Sequence, residues 1–132
     1  APTVHIALRC ERRLLDLRIN ARAHAMFERG LVEEVETLIG QGIREGETAP
    51  RAIGYAQALA VIDGTMSVPE AVDSTALATR QLASRQIKWF RRDPRVRWID
   101  VELTEDGRCT DAERSRVTRQ ARELVLAVDG VA

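Results

Sequence analysis

The sequence predicts an α/β chain that is mostly helical, with two short strands whose sheet is completed by sequence outside it. Three observations carry this. Residues 3–8 (TVHIAL) and 96–101 (VRWIDV) are short apolar runs rich in β-branched residues. Four segments with helical spacing separate them, so no hairpin joins them, and two strands make a poor sheet alone. The chain opens Ala-Pro-Thr, without Met, and enters a strand at once, which reads as the middle of a longer protein.

The elements follow in order. His5, inside the first run, reads as a packed residue, because no second His or carboxylate cluster accompanies it. A helix over 10–28 turns Leu14, Leu17, Ala21, Ala25 and Met26 inward, and Gly30 stops it. Residues 31–39 form a second amphipathic helix with Leu31, Val35, Leu38 and Ile39 inward and Glu33, Glu34 and Glu36 near its start. Gly40, Gly42 and Gly46 mark a loop that runs to Pro50. A helix over 51–62 then contains Gly54. A glycine there costs about 1 kcal/mol against Ala, so it implies close approach by a backbone or ligand, or tight helix packing. Ser67, Pro69 and Glu70 spell a capping box for a helix that runs to about Arg92, where Asp93-Pro94 ends it. Residues 104–109 read as a turn. Thr110 or Asp111 caps a last helix to about Val128, with Val117, Ala121, Leu124, Val125 and Val128 inward and a mixed-sign, solvated face.

Composition narrows the function. A chain of 132 residues is one domain or a piece of one. Twenty basic residues balance twenty acidic ones, so an anion site must come from local clustering. Lys88 is the only lysine. Arginine offers a planar fork for phosphate and stacks on bases, although a GC-rich genome gives the same bias. Cys10 and Cys109 stand far apart with no C-x-x-C pair, which indicates neither a zinc site nor a disulfide framework. No apolar run approaches the ~20 residues that span a membrane, and no signal-peptide pattern opens the chain. A cytoplasmic protein is expected.

The clustering is found at residues 78–97. Arg80, Arg85, Lys88, Arg91, Arg92, Arg95 and Arg97 fall there, and no acid lies between Ser74 and Arg92. On a helix, Asp73, Leu77, Arg80, Ser84, Lys88 and Arg91 share one line. Ala71, Thr75, Ala78, Leu82 and Trp89, with Ala83 and Phe90 at the edge, share the opposite one. Trp89 and Phe90 are each read as core residues. A helix with one buried and one cationic face suits a ligand with several phosphates. A solvated charged face is the alternative, against which the lack of acids for i,i+4 pairing counts. There is no Gly-Lys-Ser/Thr loop and no nucleophile-and-base pattern. Arg for phosphate, Gln for base edges and an aromatic for stacking suit RNA with splayed bases.

Three segments carry a resemblance: RINARAHAMFERGLVEEVETLIGQG (18–42), TAPRAIGYAQAL (48–59) and ATRQLASRQIKWFRRDPRVRWID (78–100). In order and spacing they resemble the C-terminal part of the tRNA dimethylallyltransferase family. R-A-I-G-Y followed by T-R-Q-x-A-x-R-Q-x-x-W-F-R is the specific part, and the final helix is not distinctive. The resemblance implies a P-loop-type core with a helical insertion, of which residues 1–132 are the C-terminal part. It implies Mg2+, held with the phosphate-binding loop and the general base by N-terminal sequence that this chain lacks. The activity implied is transfer of a dimethylallyl group from dimethylallyl diphosphate to N6 of adenosine 37 in the tRNA anticodon stem-loop, by a monomer when full length. It places tRNA contacts at Arg51, Ala52, Ile53, Gly54, Tyr55 and Ala56, and at Ser84, Arg85, Gln86, Ile87, Lys88, Trp89, Phe90 and Arg91. Arg80 would face the diphosphate or a tRNA phosphate. No catalytic or metal-binding residue falls in this chain, which alone would be inactive. Ala56 and Ser84 stand where the family commonly has basic residues, and Lys88 where it often has Thr. The rival is a non-catalytic helical RNA-binding or adaptor module. A DNA-binding helix-turn-helix is weaker, because no helix pair here is joined by a tight turn with base-reading residues.

Overall fold

The computed structural model describes residues 4–42 and 52–130, with side chains described to residue 127. The elements are β1 (His5–Arg9), α1 (Arg12–Glu28), α2 (Leu31–Ile39), α3 (Tyr55–Ile62), α4 (Val68–Arg91), β2 (Val96–Asp100) and α5 (Asp111–Gly130). They fall into two compact units, one built from 1–18 with 84–132, the other from 19–83.

In the first unit β1 and β2 pair with each other, in parallel, from His5 opposite Val96 to Arg9 opposite Asp100. The Val101 N–H adds a bond to the Arg9 carbonyl at 2.7 Å. The two runs thus form a two-stranded sheet, joined by the long helical crossover that parallel pairing requires. Ala7, Leu14, Val96 and Ile99 are buried. His5 is exposed at the strand's start and is not a packed residue. At the other end, the Arg9 Nε donates to its register partner Asp100 at 2.7 Å, and its guanidinium lies 5.4 Å over the Trp98 ring. After β2, Gly107 turns at φ +83° against α1. A Cβ there would stand 2.8 Å from the Leu14 carbonyl oxygen and 2.9 Å from the Arg18 nitrogen, so only glycine lets the turn come this close.

Thr110, not Asp111, caps α5: the Glu113 N–H donates to its hydroxyl at 3.1 Å. The first turns of α5 are also not merely solvated. Arg116 grips Glu113 through Nε at 2.7 Å and Nη2 at 2.8 Å and reaches the Asp100 carbonyl. Glu113 in turn accepts the Glu102 N–H at 2.6 Å. Val117, Ala121 and Leu124 are half-buried as expected, but Val125 is exposed. The side chain of Val128 lies outside the described residues.

The second unit packs the rest of α1, α2, α3 and the start of α4. Its core holds Ile19, Ala23, Phe27, Leu31, Val35, Ala58, Ala71, Val72, Thr75 and Ala76. Alanines at 23, 58, 71 and 76 let the helix backbones approach, which long side chains would prevent. The inward face of α1 is therefore Leu14, Ile19, Ala23 and Phe27. Leu17, Ala21 and Met26, expected inward, are exposed, and Leu38 and Ile39 of α2 are only half-buried. Phe27 is the larger side chain and takes the core position that Met26, one residue away on the helix, cannot share. The capping box of α4 forms reciprocally: the Glu70 N–H donates to Ser67 Oγ at 3.2 Å and the Ser67 N–H to Glu70 Oε1 at 3.1 Å.

Helix α3 begins at Tyr55, so Gly54 precedes it and does not sit inside it. Its φ of +96° and ψ of −51° are open only to glycine, and a Cβ would lie 2.8 Å from Met26 Cε. Of the two readings of this glycine, the structure favours tight packing over approach by a backbone or ligand, since its neighbours are the side chains of Met26 and Leu31. The expected helix start at 51 lies outside the described residues.

Candidate nucleic-acid interface

The last two turns of α4 belong to the first unit and sort their side chains by helical spacing. Ser84, Ile87, Lys88 and Arg91 recur at three- and four-residue steps and line one cleft of about 750 Å3. β1 and α1 contribute Leu8, Arg9, Cys10, Arg12, Leu15 and Arg18 to it. Trp98, Val101, Leu103 and Cys109 come from β2 and the segment after it, and Arg114, Val117 and Thr118 from α5. Six cations and no carboxylate line this cleft. Arg9 is paired with Asp100 and Arg12 with Asp16 at 3.0 Å. Among the described residues, no carboxylate pairs with Arg18, Lys88, Arg91 or Arg114. A concave wall with several uncompensated cations concentrates positive potential where a polyanion can reach it.

The aliphatic floor and Trp98 supply apolar contact for a flat or hydrocarbon group beside those charges. Burial pushes the Cys10 thiol up, against the opposing pull of Arg18 and Arg12, which disfavours its thiolate.

The other expected contacts of this helix point elsewhere. Arg85, Gln86 and Trp89 are exposed. Trp89 is 66% exposed and is not a core residue: along that face of α4 full burial ends at Ala76, Ala78 is half-buried, and Leu82 and Trp89 are open. Phe90 is half-buried, 5.2 Å from the Trp89 ring and edge-on to Trp98 at 6.5 Å. Trp89 thus stands on a packed aromatic base with its own ring open to solvent, the arrangement a stacking platform needs.

The second expected segment belongs to the other unit. Ala52 and Ala56 are exposed, Ile53 and Tyr55 half-buried and Gly54 buried, while Arg51 lies outside the described residues. The Tyr55 hydroxyl donates to Glu34 at 3.3 Å, and the charge of that carboxylate raises the phenol's pKa. The Gly54 N–H donates to Gln57 Oε1 at 2.8 Å, and the Gln57 amide reaches Ser74 at 3.2 Å. This chain of bonds fixes the backbone of residues 54–57 against α4. Arg80, in the same unit, donates to Asn20 Oδ1 at 2.5 Å.

Several lining residues carry no mark in the sequence. Arg12 and Arg18 lie in the span read as the first helix, Arg114 in the last helix with its solvated face, and Trp98 in the second strand, while Arg9 falls just past the first. Only the pairing of β1 with β2 gathers them opposite Lys88 and Arg91. Among the described residues no group of three or more His, Cys, Asp or Glu is placed to hold a metal. No described helix is long and apolar enough to cross a membrane.

The model of the IPP transferase family matches residues 1–93. The tRNA dimethylallyltransferase of Pseudarthrobacter chlorophenolicus is 52% identical over 99 residues, 75% of this chain and 33% of that protein. That of Mycolicibacterium paratuberculosis is 48% identical over 113 residues, 83% of this chain and 36% of that protein. The chain resembles the solved full-length tRNA isopentenylpyrophosphate transferase of Bacillus halodurans with a TM-score of 0.75 and 30% identity, over 96% of this chain and 39% of that one. A Staphylococcus epidermidis tRNA isopentenylpyrophosphate transferase gives 0.70 and 33%, over 92% and 38%. The chain spans about a third of the length of the curated relatives it matches.

Proposed function

The chain belongs to the IPP transferase family, and from that premise we propose that it is the C-terminal, tRNA-holding part of a tRNA dimethylallyltransferase. The observation that carries this is the cleft along α4, where Arg18, Lys88, Arg91 and Arg114 meet without a carboxylate among its lining residues. Phosphates of an anticodon stem-loop would be held there by cations at fixed spacing, and Trp89 and Gln86 would receive unstacked bases. Arg51 to Ala56 would form the second tRNA-contacting wall. Arg80 would meet the diphosphate of the prenyl donor or a tRNA phosphate.

The reaction is displacement. The N6 amine of adenosine 37 bonds to the allylic carbon of dimethylallyl diphosphate, the C–O bond to the diphosphate breaks, and N6 gives up a proton. The base that takes the proton, the P-loop-type core and the Mg2+ belong, on this reading, to sequence outside these residues. What this chain contributes is orientation of the RNA and cationic charge near the leaving diphosphate, which stabilises charge that grows in the transition state. The working protein is a cytoplasmic monomer on this reading.

The test uses the full-length protein. Lys88→Glu with Arg91→Glu is expected to weaken binding of an anticodon stem-loop by at least tenfold while the melting temperature holds. Unchanged stem-loop affinity would remove the cleft from the tRNA path. A wild-type protein that binds the stem-loop but transfers no prenyl group would favour the adaptor reading.

A further inference from the structure

We infer that Arg116 is a positioning residue: with Glu113 it docks the first turns of α5 on the end of β2, and so holds Arg114 in the cleft as an RNA phosphate contact. The inference rests on the reading of that cleft as the tRNA path.

Helix α5 carries two neighbouring lines of side chains. Arg114, Val117 and Thr118, at steps of three and four residues, line the cleft. Glu113, Arg116 and Gln120 form the line beside it, and all three are half-buried. Arg116 donates to Glu113 Oε1 at 2.7 Å and Oε2 at 2.8 Å, and to Gln120 Oε1 at 2.9 Å. It also donates to the Asp100 carbonyl at 2.5 Å. Glu113 Oε2 accepts the Glu102 N–H at 2.6 Å. The pair therefore ends on main-chain groups on both sides of Val101, which itself lines the cleft.

Packing leaves the rotation of α5 loosely set. Among residues 111–127 none is fully buried, and Val125 and Leu126 are open. Apolar contact is non-directional. Bidentate, charge-assisted hydrogen bonds are directional, so the clasp decides which line of α5 faces the cleft. A rotation of about 100°, one residue step on a helix, would carry Arg114 off it. The two arginines differ in what their charges meet. That of Arg116 is matched by Glu113. Arg114 is exposed, and among the described residues no carboxylate pairs with it.

The experiment measures the affinity of the full-length protein for an anticodon stem-loop at several salt concentrations, below the melting temperature of every variant. Arg114→Ala is expected to lose several-fold in affinity. It should also flatten the slope of log affinity against log salt by about 0.7–0.9, one phosphate contact, and Arg114→Lys should restore that slope. Arg119→Ala, on the far side of α5, should match wild type. Glu113→Ala with Arg116→Ala removes the clasp without changing the net charge. This pair should lose about as much as Arg114→Ala, and adding Arg114→Ala to it should cost nothing more, as expected of groups that act through one another. If the pair merely melts earlier and binds with wild-type affinity and slope, the clasp is structural and the inference falls. It falls too if the losses add, or if Arg119→Ala flattens the slope as Arg114→Ala does. If Arg114→Ala binds like wild type while Lys88→Ala flattens the slope, the inference falls and the reading of the cleft stands. If neither changes the slope, the reading of the cleft fails first and the inference goes with it.

Discussion

Glu113 carries the most sharply shifted carboxyl described here. The Arg116 guanidinium, then the Glu102 N–H, push it down to about 2 from an ordinary 4.5. Because its pKa is lowered on folding, its stabilising effect is fully present above about pH 4.5 and is lost as pH falls towards 2. Replacing Glu113 with Gln in the full-length protein should therefore lower the melting temperature at pH 7. The gap from wild type should close as the pH drops from 4.5 to 2, and a gap that stayed constant over that range would mean the Arg116 clasp is not what Glu113 contributes. Two glycines give a second residue-scale test. Gly54→Ala should cost about 1–2 kcal/mol, the strain of a positive φ on an L-residue, because Met26 can swing aside. Gly107→Ala should cost about 3 kcal/mol, because what blocks its Cβ is the α1 backbone itself. Chemical denaturation of the two variants side by side checks the order.

Elements were legible where their signals are local. The box at Ser67 and Glu70 forms as read because both partners lie within one turn. The end of α1 at Gly30 and of α4 before Asp93 followed for the same reason. The start of α3 was not legible, because Ala52 and Ile53 continue the apolar pattern and only the φ of Gly54 breaks it. The fate of Trp89 was not legible either, because periodicity gives a residue's face but not whether anything covers that face. The cationic line of α4 was read correctly at Ser84, Lys88 and Arg91. Its partners Arg12, Arg18 and Arg114 stayed hidden, since what groups them is tertiary pairing between segments far apart in sequence. Lys88 lies one turn along α4 from Ser84 on the wall of the same cleft, so we expect its charge to meet one phosphate there. Lys88→Ala in the full-length protein should then flatten the slope of log affinity against log salt by about 0.7–0.9, one phosphate contact, with stability unchanged. An unaltered slope would show that Lys88 does not touch the RNA backbone.

At the scale of the whole molecule, the sheet sets the terms. Among the described residues, no strand pairs with the outer edges of β1 and β2, and parallel sheets are stable when buried on both faces. The exposed side chains point the same way. Leu8, the β1 residue opposite Ile99, is 58% exposed, Leu126 on α5 is 59% exposed, and Leu77 and Leu82 of α4 are also open. Uncovered, such side chains forgo roughly 25 cal/mol per Å2 of burial, and a chain with so much apolar surface open is prone to associate. The expectation is that these 132 residues, expressed alone, bind a hydrophobic dye strongly, self-associate and melt over a broad range, and that the full-length protein does none of these. The observable is dye fluorescence with light scattering across a thermal ramp on both chains. A sharp cooperative melt of a monomeric, dye-silent short chain would show that the two strands and their helices are a self-sufficient core. The open faces of Leu8, Trp89 and Leu126 would then be surfaces in their own right.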